Sequence, residues 1–325
     1  MTRSISIETI RDAAGFIYDT AARTPLVRVD LEVGGPVEFY LKLETLQPVG
    51  SFKIRGAYNA VRRLSPSERA RGVWTVSAGN AAQGVALAAK RVGAPCAVLV
   101  YDTAPATKLQ AIERFGARIV KASHDECWRT VERGRSDRMT GRFVHPFDDD
   151  DVIAGNGTIG LEILEDLPDV DVVVAAVGGG GLIAGVASAI RASRPNVRIV
   201  AAEPETAAPL AASLAAGRPT ATPHWEPSFV DGAGGQSVLP SMWPLLSTLV
   251  DEAIVVTLDD IRRAMRLVAE RAHVICEGAG ACAVAAALGG RAGSGRTVAI
   301  VSGGNIDLPR FATLVEACRG QSPQP

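Results

Sequence analysis

From about residue 72 onward, short runs of apolar and β-branched residues alternate with stretches in which apolar residues recur every three or four positions. That alternation predicts a parallel sheet covered by helices on both faces, because each parallel strand needs a helix-length return. "GVWTV" at 72–76 leads into a predicted helix from about Asn80 to Arg91. "CAVLV" at 96–100 leads into one from about Pro105 to Phe115, and "ARIV" at 117–120 into one through the 120s and 130s. "RFVHP" at 142–146 closes a small α/β unit of four strands and three helices. After the acidic stretch Asp148 to Asp151 the pattern resumes with "DVVVAAVGGGGLIAG", "VRIVAAEPE" and "RTVAIVSGGNID". These runs are continuous instead of alternating, as expected of strands buried on both faces.

At the start of the chain, Ile7, Ile10, Ala14, Ile17 and Ala21 are spaced by three and four among Glu8, Arg11, Asp12 and Asp19. This predicts an amphipathic helix and not a signal peptide. The stretch from Val172 to Ile190 carries no charge but holds four consecutive glycines, so it reads as strand, loop and helix, and no membrane segment is expected. Residues 219–235, rich in Pro, Gly and Trp, form a long irregular connection of the kind that lines sites. Low complexity is confined to the tail from Gln321 to Pro325.

Composition narrows the partners. The chain has 325 residues, 47% of them hydrophobic, which is enough for two domains. With 34 basic and 35 acidic residues it offers no electrostatic footprint for nucleic acid or an anionic membrane, and a small neutral or zwitterionic partner fits better. Cys96, Cys127, Cys276, Cys282 and Cys318 are scattered without a C-x-x-C pair, and the four histidines are dispersed. A reducing compartment and no metal site are expected.

Four polar turns and one lysine carry the candidate chemistry. Lys53 in "GSFKIRGA" sits between Phe52 and Arg55 with apolar and small neighbours, which predicts a partly buried amine. "SAGNAAQG" (77–84) ends a strand and opens a helix, where backbone N–H groups and a hydroxyl face an anion such as a carboxylate. An ordinary capped turn explains it equally well. "VGGGGLIAG" (177–185) lets the backbone wrap a phosphate closely. It also satisfies G-x-G-x-x-G/A through Gly179, Gly181 and Ala184, with Glu203 at the end of the next strand, so spacing alone leaves a nucleotide-binding oxidoreductase open. "SGGNID" (302–307) places Ser302 at the carboxyl edge of the last strand, while for Glu277 in "CEGAGA" a structural role is favoured. A phosphate loop, a buried lysine and polar turns at neighbouring sheet edges are together the parts of a pyridoxal-phosphate enzyme; the nucleotide reading leaves Lys53 unexplained.

In order along nearly the whole chain, "GSFKIRGA", "SAGN", "GGGGL", "AEPE", "EGAGA" and "SGGN" resemble the serine/threonine dehydratases of pyridoxal-phosphate fold type II, relatives of serine racemase. The resemblance implies two open, mostly parallel sheets flanked by helices, with the site in the cleft between two domains. Residues 1–71 and 148–325 would form the large cofactor-binding domain and 72–147 a small domain closing on substrate, without a C-terminal regulatory domain. Pyridoxal 5'-phosphate would be carried by Lys53, with Phe52 against its ring, Asn80 on its phenolic oxygen, Gly178, Gly179, Gly180 and Gly181 around its phosphate, and Ser302 facing its pyridine nitrogen. Ser77, Gly79, Asn80 and Gln83 would hold the substrate carboxylate. The implied activity is β-elimination of threonine, serine or a related β-hydroxy amino acid to a 2-oxo acid and ammonia, by a cytoplasmic homodimer. Alternatives with the same cofactor are a racemase and a lyase for a bulkier substrate such as phenylserine or hydroxyaspartate. The chain departs from the pattern at Ala81, where relatives often have histidine, and at Asn156, where many have glutamine. It also departs at Ala78, where racemases of the animal type have an acid/base serine, and at Trp128, where they have a carboxylate-binding arginine. Of the relatives' metal ligands only Glu203 remains, Pro209 standing where an aspartate would. Trp128 on the substrate side would favour bulkier substrates; a core tryptophan is the equal alternative.

Overall fold

Strand-forming runs separated by helical returns fold into two sheets. The structure is a computed structural model that describes residues 3–30 and 38–317, so Cys318 and the tail from Gln321 lie outside the described residues. Its strands are β1 (Leu26–Arg28), β2 (Phe39–Leu43), β3 (Val73–Val76), β4 (Cys96–Tyr101), β5 (Arg118–Ala122), β6 (Arg142–Phe143), β7 (Val172–Ala176), β8 (Arg198–Pro204), β9 (Glu252–Val256) and β10 (Thr297–Val301). The larger sheet has the order β1-β2-β10-β7-β8-β9 and the smaller β5-β4-β3-β6. Every pairing is parallel except β1 with β2.

The continuous apolar runs are explained by the period of two along a strand. Val173, Ala175, Ile199, Ala201, Val298 and Ile300 face one core layer. Their neighbours Val172, Val174, Val200, Ala202, Ala299 and Val301 face another on the opposite side of the same sheet. With helices on both sides, no face of these strands is left polar.

Three strands were not legible as such. Strand β2 contains Lys42, which is fully buried and pairs with Glu162 at 2.6 Å, so an interior charge breaks its apolar run. Strand β1 has three residues, and the half-buried β9 begins with Glu252. The N-terminal helix is shorter than its spacing suggests: an α-helix over Ile7–Ala14 passes through Gly15 to a single 3-10 turn at Ile17–Asp19. No helix among the described residues is long and apolar enough to cross a membrane.

The helix Lys53–Arg62 lies at the junction of the two sheets. It packs against the helix Asn80–Val92, where a side-chain carbon on Gly84 would fall 3.0 Å from the Lys53 backbone. It also meets the helix Asp150–Asp166, where one on Gly155 would fall 2.5 Å from the Arg55 carbonyl. Arg55 points away from Lys53 into a buried network, bonding Glu44 at 2.7 and 2.8 Å and Glu162 at 2.6 and 2.9 Å. The cation beside Lys53 in the sequence therefore anchors this helix and does not face the cleft.

Candidate active site

A cavity of about 350 Å³ lies between the sheets. Its walls come from the carboxyl ends of β3, β4 and β10, the start of the Lys53 helix, and the helix His124–Arg133. Lys53 is the first residue of its helix, so its amine projects from the helix start toward the cavity. Nζ donates to the Pro146 carbonyl at 2.7 Å and lies 5.0 Å from the centre of the Phe52 ring. Burial pushes the amine down to about 8, and the negative charge of Glu277 opposes that shift. The Phe52 N–H donates to the Ser302 carbonyl at 3.0 Å, and Ser51 bridges Gly303, so the lysine turn and the turn after β10 are held together.

The structure brings most of the residues singled out by sequence to this one cavity. Phe52, Lys53, Ser77, Gly79, Asn80, Gln83 and Ser302 all line it. In the turn after β3, Ser77 Oγ accepts from the Gly79 N–H at 3.0 Å, while the space beside Gly79 is open to at least 4 Å. The side-chain amide of Gln83 is buried, lines the cavity and has no protein hydrogen bond among the described residues. Ser302 Oγ makes only a 3.5 Å contact with the Ala279 carbonyl, which leaves its hydroxyl nearly uncommitted. The irregular connection brings Asp231 and Gly232 to the mouth.

Gly178 to Gly181 are a difference: they are not on the cavity wall. The Phe147 ring packs onto Gly179, where a side-chain carbon would fall 2.1 Å from it, and the Gly232 carbonyl lies against Gly178. Pro146 and Phe147 thus join the two features, one binding the lysine amine and the other covering the glycine turn. Neither was picked out in the sequence, where "RFVHP" reads only as a strand.

Two other readings are decided here. Glu203 is fully buried, and its two oxygens accept from the Leu210 and Ala211 N–H groups at 2.8 Å each, at the start of the helix Pro209–Ala216. A carboxylate so engaged is unavailable to a ribose, which removes the dinucleotide interpretation. Trp128 lies on the cavity wall outside the hydrophobic core layers, beside His124, Cys127 and Val131, so it is not a core tryptophan. Glu277, for which the sequence favours a structural role, lines the cavity and accepts from Asn80 Nδ2 at 2.5 Å.

An amine that loses its proton near pH 8 is a nucleophile under conditions where a surface lysine is not. Set in the cleft of an α/β fold, at the carboxyl ends of parallel strands, such an amine has the chemistry used by the class of enzymes that attack a carbonyl through lysine. Comparison narrows that class: the pyridoxal-phosphate dependent enzyme family matches residues 17–303, and the chain belongs to this family. An L-threonine ammonia-lyase of Thermotoga maritima is 43% identical over 96% of this chain and 78% of its own length. Among solved structures, a processed threonine deaminase isoform 2 of Solanum lycopersicum aligns with a TM-score of 0.86 at 33% identity, covering 98% of this chain and 96% of its own. Maize serine racemase aligns with a TM-score of 0.86 at 35% identity, covering 97% and 98%.

The residues present fit pyridoxal phosphate. Gly180 has φ of 89°, open to glycine at little cost, and it starts the helix Gly181–Ser193 without any side-chain cap, so the first-turn N–H groups are left for an anion. A side chain at any of the four glycines would collide with Phe147, Leu246 or the Gly232 carbonyl.

Proposed function

We propose that the chain is an ammonia-lyase that eliminates water from threonine or serine, the enamine so formed then taking up water to give a 2-oxo acid and ammonia. The observation that carries this reading is the desolvated Lys53 amine on a cavity wall shared with the Ser77–Gln83 turn and Ser302. The likeness to a threonine ammonia-lyase and a threonine deaminase supports the substrate.

In this reading Lys53 would hold the cofactor, Phe52 would pack against its ring, Asn80 would donate to its phenolic oxygen, Ser302 would face its ring nitrogen, and Gly178 to Gly181 would surround its phosphate. Pyridoxal phosphate supplies the electron sink that makes the substrate's α-proton removable. Lys53 would take that proton at Nζ, a role that suits an amine whose burial lowers its pKa to about 8. Ser77, Gly79 and Gln83 orient the substrate carboxylate, so the α-hydrogen faces the lysine. Burial of Phe52, Ala78 and Ser302 keeps water off the reacting face.

Elimination is favoured over racemisation because inversion needs a second acid/base group on the opposite face. Ala78 lines the cavity and has no exchangeable proton. The smaller-sheet unit, 72–147, would close on substrate bound to the larger one, 1–71 with 148–325. A cytoplasmic homodimer completes the proposal. Incubation with L-threonine, L-serine and D-serine tests the activity: 2-oxo acid and ammonia in equal amounts from the L-isomers are expected, and no 2-oxo acid from any β-hydroxy amino acid would overturn it.

A further inference from the structure

Glu277 occupies the N-cap position of the helix Gly278–Leu288, where a carboxylate ordinarily turns back onto the first amides. It makes no such bond. Its side chain turns instead toward the cavity, where Oε1 accepts from Asn80 Nδ2 at 2.5 Å. The other end of the Asn80 amide is also committed, since Oδ1 accepts from Asn305 Nδ2 at 2.7 Å, and that nitrogen also donates to the Val49 carbonyl at 2.8 Å. The chain Glu277, Asn80, Asn305 and Val49 therefore fixes which end of the Asn80 amide is nitrogen and leaves that nitrogen one N–H to present. The turn after β10 is shaped around the contact: a side-chain carbon at Gly303 would fall 2.5 Å from Glu277 Oε1 and 3.2 Å from Asn80 Nδ2.

We propose that Glu277 is a positioning residue of the cofactor site: it locks the Asn80 amide so that its N–H, and not its oxygen, faces the group carried by Lys53. This rests on Lys53 being the cofactor lysine. A lone buried carboxylate is costly, and burial raises the Glu277 carboxyl to about 7, with Asp231 adding to the rise. Asn80, Lys108 and Lys53 oppose it. The carboxylate in turn favours the charged form of Lys53. The charged groups around Glu277 are thus Lys53 on its helix start, Lys108 on the helix Ala106–Glu113 and Asp231 on the 3-10 turn Asp231–Ala233, while the adjacent Cys276 thiol is held neutral by burial. Glu277 therefore orients one partner of the cofactor by hydrogen bonding and biases the other by charge.

The test is a double-mutant cycle on pyridoxal-phosphate affinity, read by the absorbance of the lysine-bound cofactor, in the wild type, Glu277→Gln, Asn80→Ala and the double variant. Each single change is expected to weaken binding about tenfold or more, as for loss of a buried charge-assisted hydrogen bond, and the double variant to lose little beyond the larger single loss. Losses that add, or a Glu277→Gln protein that binds as the wild type does, would overturn the proposal. A second readout uses the cofactor-free protein: the pH midpoint of Lys53 acylation is expected to fall in Glu277→Gln, because removing a negative neighbour disfavours the ammonium, and an unmoved midpoint counts against it. Glu277→Asp, which keeps the charge and shortens the reach, should restore the midpoint but not the affinity. It also carries the cycle if Glu277→Gln does not fold. A wild-type chain that forms no lysine-bound chromophore refutes the proposed cofactor lysine itself, an outcome distinct from failure of the cycle.

Discussion

On the proposed roles, Ala78 is where a single side chain would decide between two outcomes of one proton transfer. If Lys53 takes the proton from one face as proposed, it would return to that face or not at all, since a methyl group offers none on the other. Chiral chromatography of a reaction with L-serine should show almost no D-serine. Ala78→Ser should introduce measurable racemisation while part of the elimination persists. Substantial D-serine from the unchanged enzyme would mean that another group guards the second face. For Trp128 the proposed role is in substrate choice. Placed on the cavity wall, it offers an aromatic face where an arginine would offer charge. Trp128→Ala should lower kcat/KM for phenylserine relative to threonine by up to about tenfold, the worth of one aromatic contact. An unchanged ranking of threonine, serine and phenylserine would show that the indole does not meet the β-substituent.

Individual elements show why some of this was legible and some not. The turns after β3 and β10 could be read because Ser, Gly and Asn at strand ends have few other uses, and both reach the cavity. Strand β2 could not, because Lys42 breaks its apolar run and an interior lysine is made tolerable by partners distant in the sequence, Glu162 and the Thr24 carbonyl, each at 2.6 Å. Glu277 reads as structural in the sequence, since no local pattern announces a contact with Asn80, 197 positions away. The same holds for Glu203, whose spacing suggested a ribose ligand but whose carboxylate binds the first amides of the helix Pro209–Ala216. Burial raises that carboxyl from 4.5 to about 7. Between those values the folded chain keeps a proton that the unfolded chain has released. Stability contributed by this group is therefore full at low pH, falls as pH rises from about 4.5 to 7, and stays lower above. Urea unfolding of cofactor-free protein at pH 5 and 7.5 should show a drop on the order of 1–3 kcal/mol from this source, and Glu203→Gln should make the total drop smaller while leaving the share of Glu277, whose carboxyl burial raises likewise. A drop of equal size in the variant would place its cause elsewhere.

Across the whole molecule, contacts between the two sheets' units bridge the cleft. Lys108, on a helix beside the smaller sheet, pairs with Asp231 from the larger unit, and Thr107 Oγ1 lies 3.4 Å from Asp307 Oδ2 nearby. If closure retains substrate, Lys108→Ala should raise KM for threonine by a factor of about two to five, the range of a partly exposed ion pair, and an unchanged KM would separate this pair from closure. The two-sheet architecture was legible because buried parallel strands and their helical returns leave a strong pattern. The covering of the glycine turn by Phe147 was not, because it depends on how two distant segments meet. Central to the account is that Lys53, and no other lysine, carries pyridoxal phosphate. Borohydride reduction of the yellow holoenzyme followed by peptide mapping tests this most directly. The account requires loss of the yellow absorbance with the pyridoxyl label on Lys53, and a folded Lys53→Ala protein that takes no label and releases no 2-oxo acid. Label on a different lysine, or wild-type turnover without Lys53, would contradict it.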